Sequence, residues 1–107
     1  TQKTGDFQNV YVKGKSKANR YLVMYVAQNN LSINRLGISV SKKVGNSVVR
    51  HHLTRLIREA YRLNSNMFNS SLDIVVIARN TAKDKTYKEV ESALLHLAKL
   101  HNILDEN

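Results

Sequence analysis

The chain has no cysteine, which excludes disulfides, thiolate zinc sites and cysteine nucleophiles and sets the expectation of a reducing, intracellular setting. Long apolar runs are missing as well. The longest, such as Tyr21 to Ala27 and Ile74 to Ala78, fall far short of the roughly 20 residues that cross a bilayer, and the polar N-terminus has no apolar export region. Neither membrane spanning nor export is expected. Because residue 1 is Thr, an initiator Met and a few neighbours are expected to have preceded it. No Pro/Gly-rich linker and no fixed-period repeat divides the 107 residues, so one domain over 1 to 107 is expected. Acidic residues are scarce: 8 Asp and Glu against 17 Lys and Arg give +9 with His neutral. A 42% hydrophobic fraction is enough for a core and too high for a basic disordered tail, so the charge must lie on a folded surface. Nucleic acid is the first partner this implies; an anionic membrane surface, or solubility alone, is the alternative.

The excess is concentrated. Residues 1 to 20 carry five Lys or Arg and one Asp, a net +4, and residues 42 to 62 carry six and one Glu, a net +5. The other two stretches nearly cancel, which favours a binding face over general solubilisation.

A short helix is expected near Asp6 to Val12, where Phe7, Val10 and Tyr11 fall three and four apart and Gly14 supplies a stop. Tyr21 to Ala27, Arg35 to Ser41 and Leu72 to Ala78 read as strands, the last buried on both faces, with an edge strand around Lys15 to Asn19. On a wheel of 100 degrees per residue, a helix from about Ser47 to Leu63 gathers Val49, Leu53, Leu56, Ile57, Ala60 and Leu63 within about 120 degrees. Arg55, Arg58, Arg62 and His51 gather opposite them, with Arg50 on the flank. A last helix from about Thr86 to Leu104 is expected to bury Val90, Ala93, Leu94, Leu97, His101 or Leu100, and Leu104. The order implies a small α+β or α/β sandwich with a βαβ crossover from Ser41 to Leu72, right-handed by the general rule.

Lys42, Lys43, Gly45, Asn46 and Ser47 lead directly into the arginine ridge. Backbone N–H groups at that helix start can hold a phosphate, Asn46 or Ser47 can cap it, and guanidinium forks engage further phosphates bidentately. The bland alternative is a solvated amphipathic helix. Gly45 reads equally as a phosphate approach, a positive-φ turn or a plain helix start. Phe7, Tyr11 and Tyr25 offer stacking surfaces for single-stranded bases if they share a groove, and otherwise pack the core. Tyr61, Phe68 and Tyr87 are expected to close the core, and Glu59 to pair with a neighbouring cation. Neither GxxxxGK[ST] nor GxGxxG is present, so a nucleotide-hydrolysing reading lacks its machinery. His51 and His52 point about 100 degrees apart, and His96 and His101 are five residues apart, which gives no zinc helix. No local carboxylate pair promises acid/base hydrolysis.

The stretch from Ser41 to Arg62, Ser-Lys-Lys-Val-Gly-Asn-Ser-Val-Val-Arg-His-His-Leu-Thr-Arg-Leu-Ile-Arg-Glu-Ala-Tyr-Arg, resembles the signature of the bacterial ribonuclease P protein subunit. Asp6-Phe7, Tyr11, Lys13-Gly14, Ala18-Asn19-Arg20, Arg35 to Ser41 and Asp73 to Arg79 extend the resemblance over nearly the whole chain. The family's Arg-Asn-x-x-Lys-Arg-x-x-Arg pattern falls on Arg50, Arg55 and Arg58, with His51 in the Asn place and Thr54 in the Lys place; His52 stands where a basic residue is often found. The resemblance implies an α+β domain, α-β-β-β-α-β-α, whose crossover is left-handed against the general rule. It also implies a cytoplasmic ribonucleoprotein in which a catalytic RNA, with Mg²⁺ bound mainly by that RNA, removes the 5′ leader of precursor tRNA. The protein would then be an accessory subunit without catalytic residues of its own and with no need to self-associate. Lys42, Lys43, Asn46, Arg50, His51, Arg55, Arg58 and Arg62 become candidates for contacting the catalytic RNA. Phe7, Tyr11 and Tyr25 become candidates for the single-stranded leader. A general RNA-binding domain and a self-sufficient metal-dependent nuclease are the alternatives.

Overall fold

The computed structural model describes residues 8 to 105. Its elements run α1 (Gln8–Lys13), β1 (Lys15–Ala18), β2 (Leu22–Gln28), β3 (Arg35–Val40), α2 (Ser47–Asn64), β4 (Leu72–Ala78) and α3 (Tyr87–Leu100), the α-β-β-β-α-β-α order expected of this α+β chain. The four strands form one sheet in the order β1-β2-β4-β3. β4 lies antiparallel to β2, with Tyr25 opposite Val75, and parallel to β3, with Gly37 opposite the same Val75. Its apolar run from Ile74 to Ala78 reflects that central place, since strands flank it on both sides and protein covers both faces.

Alternation along the strands divides the side chains between two faces. Leu22, Met24, Ile74 and Val76 are buried against Leu53, Ile57 and Ala60 of α2 and Val90, Leu94 and Leu97 of α3. Each such side chain, fully removed from water, stabilises the fold by roughly 1.5–3 kcal/mol. The opposite face carries a smaller cluster in which Val10 of α1 is fully buried against Val75, with Tyr25, Ala27 and Ile77 around them. α1 therefore lies across the face that α2 and α3 do not cover.

Gly14 closes α1 by donating its N–H to the Val10 carbonyl at 2.9 Å, and β1 starts at the next residue. A Cβ there would lie 2.2 Å from the Val10 oxygen and 2.9 Å from the Val26 oxygen, both backbone, so only glycine fits this junction. At the other end of the chain, α3 is shorter than its apolar pattern suggests. Asn102 adopts φ 58°, and the N–H groups of Asn102 and Ile103 return to the carbonyls of Lys99 and Ala98. This is a Schellman stop built on Asn in place of Gly. It leaves Leu100 exposed, and His101 turns inward, its ring Nε2 lying 2.9 Å from the Met24 carbonyl oxygen. Leu104 is not helical; it forms an isolated bridge with Phe68. Leu63, expected on the packed face of α2, is 54% exposed. It sits at the margin of that face in the last turn, where Asn64 faces inward and donates to the Ala60 carbonyl and the Glu91 carboxylate.

Candidate RNA interface

The segment between β3 and α2 is fixed by one apolar anchor. Val44 is buried, with its N–H bonded to the Ser41 carbonyl, and this tight turn leaves Lys42 and Lys43 exposed on either side of nothing but solvent. Asn46 then caps α2, its Oδ1 accepting from the Val49 N–H at 3.0 Å. The cap occupies the amide oxygen, so the exposed Asn46 side chain has its NH₂ group left for a ligand acceptor. Gly45 does not adopt positive φ; no described glycine does. Its requirement is steric, because a Cβ would fall 2.8 Å from Val49 Cγ1, the side chain packed beneath it.

Along α2 the arginines differ in availability. Arg55 and Arg58 are exposed and, among the described residues, form no ion pair. Arg50 is only half-exposed, with its Nε buried and without a hydrogen-bond partner among the described residues. Arg62 is exposed but its guanidinium grips the Glu59 carboxylate through both Nε, at 3.0 Å, and Nη2. That hydrogen bond holds Glu59 below the usual carboxylate range, so at neutral pH the pair is fully ionised and much of the Arg62 charge is locally cancelled. Thr54, in the place where the family pattern has Lys, turns its hydroxyl back onto the Arg50 carbonyl at 2.9 Å. It supplies no outward donor in place of the missing ammonium. His51 and His52 are both exposed, and with Ser47, Val48 and Arg55 they line a shallow depression of about 470 Å³ on the first turns.

The second surface lies on the other side of the sheet. Tyr11 projects from α1, 44% exposed, with its ring 5.0 Å from that of Tyr25 and inclined at 63°, an edge-to-face pair. The register settles the face of Tyr25: it is opposite Val75, beneath α1 and away from α2 and α3. Phe7 lies outside the described residues. Beyond α1 the same face continues over Ile77 of β4 to Gly37 and Ser39 of β3, which alternate with the core-facing Leu36, Ile38 and Val40. These small residues, which sequence reading passed over, keep the floor low beside the tyrosines. Their signal was the period-2 alternation within Arg35 to Val40.

At its far end this face is held by Arg35 and Asp73. Arg35 donates from Nε to Asp73 Oδ1 at 2.8 Å and from Nη2 to Oδ2 at 2.7 Å, and Asn29 Nδ2 donates to Oδ1 at 2.9 Å. The Arg35 hydrogen bond outweighs burial and holds the Asp73 carboxyl below its ordinary range. Among the described residues no three His, Asp or Glu side chains converge as a metal site, and no described helix is long and apolar enough to cross a membrane.

A ridge of cations on one side of a sheet and an aromatic shelf on the other characterise a small basic α+β domain, and comparison with known proteins gives that class a family. A family model described as Ribonuclease P matches residues 2–101. The Ribonuclease P protein component of Lachnoclostridium phytofermentans is 67% identical over 101 residues, covering 94% of this chain and 87% of that protein. That of Alkaliphilus metalliredigens is 57% identical over 96 residues, covering 90% and 86%. Among solved structures, the Staphylococcus aureus RNase P protein superposes with a TM-score of 0.89 at 42% identity, covering 98% of this chain and 96% of that one. The Thermotoga maritima RNase P protein, solved with 1-(4-fluorophenyl)-2-thiourea, gives 0.82 at 36%, covering 88% and 92%. The chain belongs to the ribonuclease P protein family, the protein component of a tRNA-processing nuclease.

Proposed function

We propose that this protein is the accessory subunit of a cytoplasmic ribonucleoprotein in which a catalytic RNA cuts the 5′ leader from precursor tRNA. The observation that carries this reading is the placement of two different RNA-compatible surfaces on opposite faces of one sheet: exposed cations on α2 and its leading loop, and the Tyr11–Tyr25 shelf beside α1. Lys42, Lys43, Asn46, Arg50, His51, Arg55, Arg58 and Arg62 face the catalytic RNA. The guanidinium groups engage its phosphates and release counterions, which lowers the repulsion between two RNAs brought together. Tyr11 and Tyr25, with Phe7, stack on bases of the single-stranded leader, which adds affinity and orients the substrate. Divalent ions held mainly by the RNA would supply the activation of water and the stabilisation of the leaving oxygen. The protein's residues bind and position, and one copy is sufficient for both contacts.

The test is cleavage of a leader-bearing precursor tRNA at low Mg²⁺ by the protein, by a bacterial ribonuclease P RNA, and by the two together. Cleavage is expected only with the RNA present, faster or at lower substrate concentration when protein is added. Cutting by protein alone would mark a self-sufficient nuclease, and a folded protein without effect on the RNA would leave a general RNA-binding domain.

A further inference from the structure

Where β1 begins, the sheet has a gap with a charge of its own. β1 starts at Lys15, opposite Val26, so Ala27 and Gln28 of β2 extend past it with no strand on that side. A depression of about 550 Å³ occupies this corner, bordered by Lys13 at the end of α1, Lys15, the Asn69–Ser70 turn before β4 and the His101–Asn102 turn after α3. Among the described residues no carboxylate lines it, while Gln28, Asn69, Ser70 and Asn102 all bring side chains able to donate hydrogen bonds. The C-terminal end of a helix repels anions, but here the carbonyls of Ala98 and Lys99 are already taken by the N–H groups of Ile103 and Asn102. Burial holds His101 below the ordinary imidazole range, with Lys17 and Lys15 adding to the effect, so the positive charge of the corner at neutral pH comes from the lysines.

The corner adjoins the aromatic shelf at Ala27, around the open end of β2. Tyr11 and Lys13 belong to the same short helix, and Ala27, which borders the depression, also packs with Tyr25 and Val10 beneath that helix. A strand stacked on Tyr11 and Tyr25 that continues past the end of α1 meets Lys13 first and, on turning around the open end of β2, Lys15, which shares the face of Val26, together with a set of neutral donors. The two ammonium groups suit phosphodiester oxygens, which are the same at every nucleotide. We propose that the depression bordered by Lys13, Lys15 and Ser70 is a second, sequence-independent subsite, which holds backbone phosphates of the leader beyond the nucleotides stacked on Tyr11 and Tyr25. The inference rests on the leader reading of the preceding section and extends it from a stacking shelf to a track.

Its consequence is a dependence on leader length. The test uses the reconstituted complex of protein and catalytic RNA with a nested set of precursor tRNAs, shortened from the 5′ end one nucleotide at a time, and with mature tRNA. The wild-type protein should gain affinity in two stages as the leader lengthens. Lys13→Ala with Lys15→Ala should keep the first stage and lose the second, a loss of about tenfold at about 0.15 M salt if two single-strand phosphates are released. Ser70→Asp, which adds a carboxylate at an exposed position and keeps both lysines, should lose the same stage; circular dichroism melts confirm that each variant folds. The subsite is overturned if both folded variants follow the wild-type length profile. It is equally overturned if they lose affinity by the same factor for every leader and for mature tRNA, which assigns the lysines to the catalytic RNA. If the wild type gains nothing from any leader, the Tyr11–Tyr25 reading fails first and the subsite with it.

Discussion

Replacing Arg55 and Arg58 together by Ala removes two exposed guanidinium groups that form no ion pair among the described residues. Ala is the best helix former, so α2 should keep its stability to within about 0.5 kcal/mol. If each arginine neutralises one phosphate of duplex-like RNA, the slope of log K against log salt should become shallower by about 1.8. Extrapolated to the 1 M reference, that difference corresponds to about 30-fold weaker binding at about 0.15 M salt, about 200-fold at 0.05 M, and only about threefold at 0.5 M. The assay is fluorescence anisotropy of labelled catalytic RNA titrated with each protein at several salt concentrations, with thermal melts alongside. A gap between variant and wild type that stays constant with salt would show that the arginines act through shape or hydration. No gap at all, with folding intact, would remove α2 from the catalytic-RNA surface.

Glu59→Gln releases Arg62 from its carboxylate while keeping a polar side chain at that position, so catalytic-RNA affinity should rise about fivefold at 0.15 M salt with a steeper salt slope; unchanged anisotropy curves would mean that Arg62 faces no phosphate. Tyr11→Ala and Tyr25→Ala should each weaken binding of leader-bearing precursor by about 1–3 kcal/mol and leave mature tRNA unaffected, and equal losses on both substrates would count against leader stacking. Asp73 titrates at lower pH in the folded chain than in the unfolded one, so its ion pair stabilises the fold above the unfolded carboxyl pKa of about 4 and stops doing so as pH falls through the depressed folded value. Urea melts of Asp73→Asn should show lower stability than wild type at neutral pH, by about 2 kcal/mol, and a flatter decline across that acidic window. Parallel declines in the two proteins would deny Asp73 this role.

Much of the architecture is legible in the residues because period and composition agree there. Leu72 to Ala78 is apolar except for Asp73 and is a central strand; the cationic and apolar sides of α2 separate cleanly on the wheel, and the edge strand beside Lys15 is polar as an edge should be. Periodicity misleads where a single backbone angle decides. The apolar spacing of α3 continues to Leu104, but the left-handed turn at Asn102 ends the helix first. It also says nothing of partners: the wheel places Arg62 with Arg55 and Arg58, while its pairing with Glu59 three residues away sets it apart. The face of Tyr25 was open for the same reason. Val26 and Ala27 break the alternation of β2, and only the register with β4 and the seat of Val10 decide it.

The position of β4 makes both faces of the sheet depend on the last strand in the chain. β2 and β3 are not neighbours in the sheet; β4 lies between them, hydrogen-bonded to both. A chain emerging from the ribosome therefore holds two unjoined halves, a β1–β2 hairpin and a β3–α2 unit, until residues 72 to 78 have been made. Strand insertion between non-adjacent segments closes long loops before its contacts form, and it is intrinsically slow. The floor of the tyrosine shelf includes Val75 and Ile77, and the core beneath the arginine helix includes Ile74 and Val76. Both faces are thus completed by one late event. A truncated or still-growing chain with its full complement of lysines and arginines presents neither in finished form.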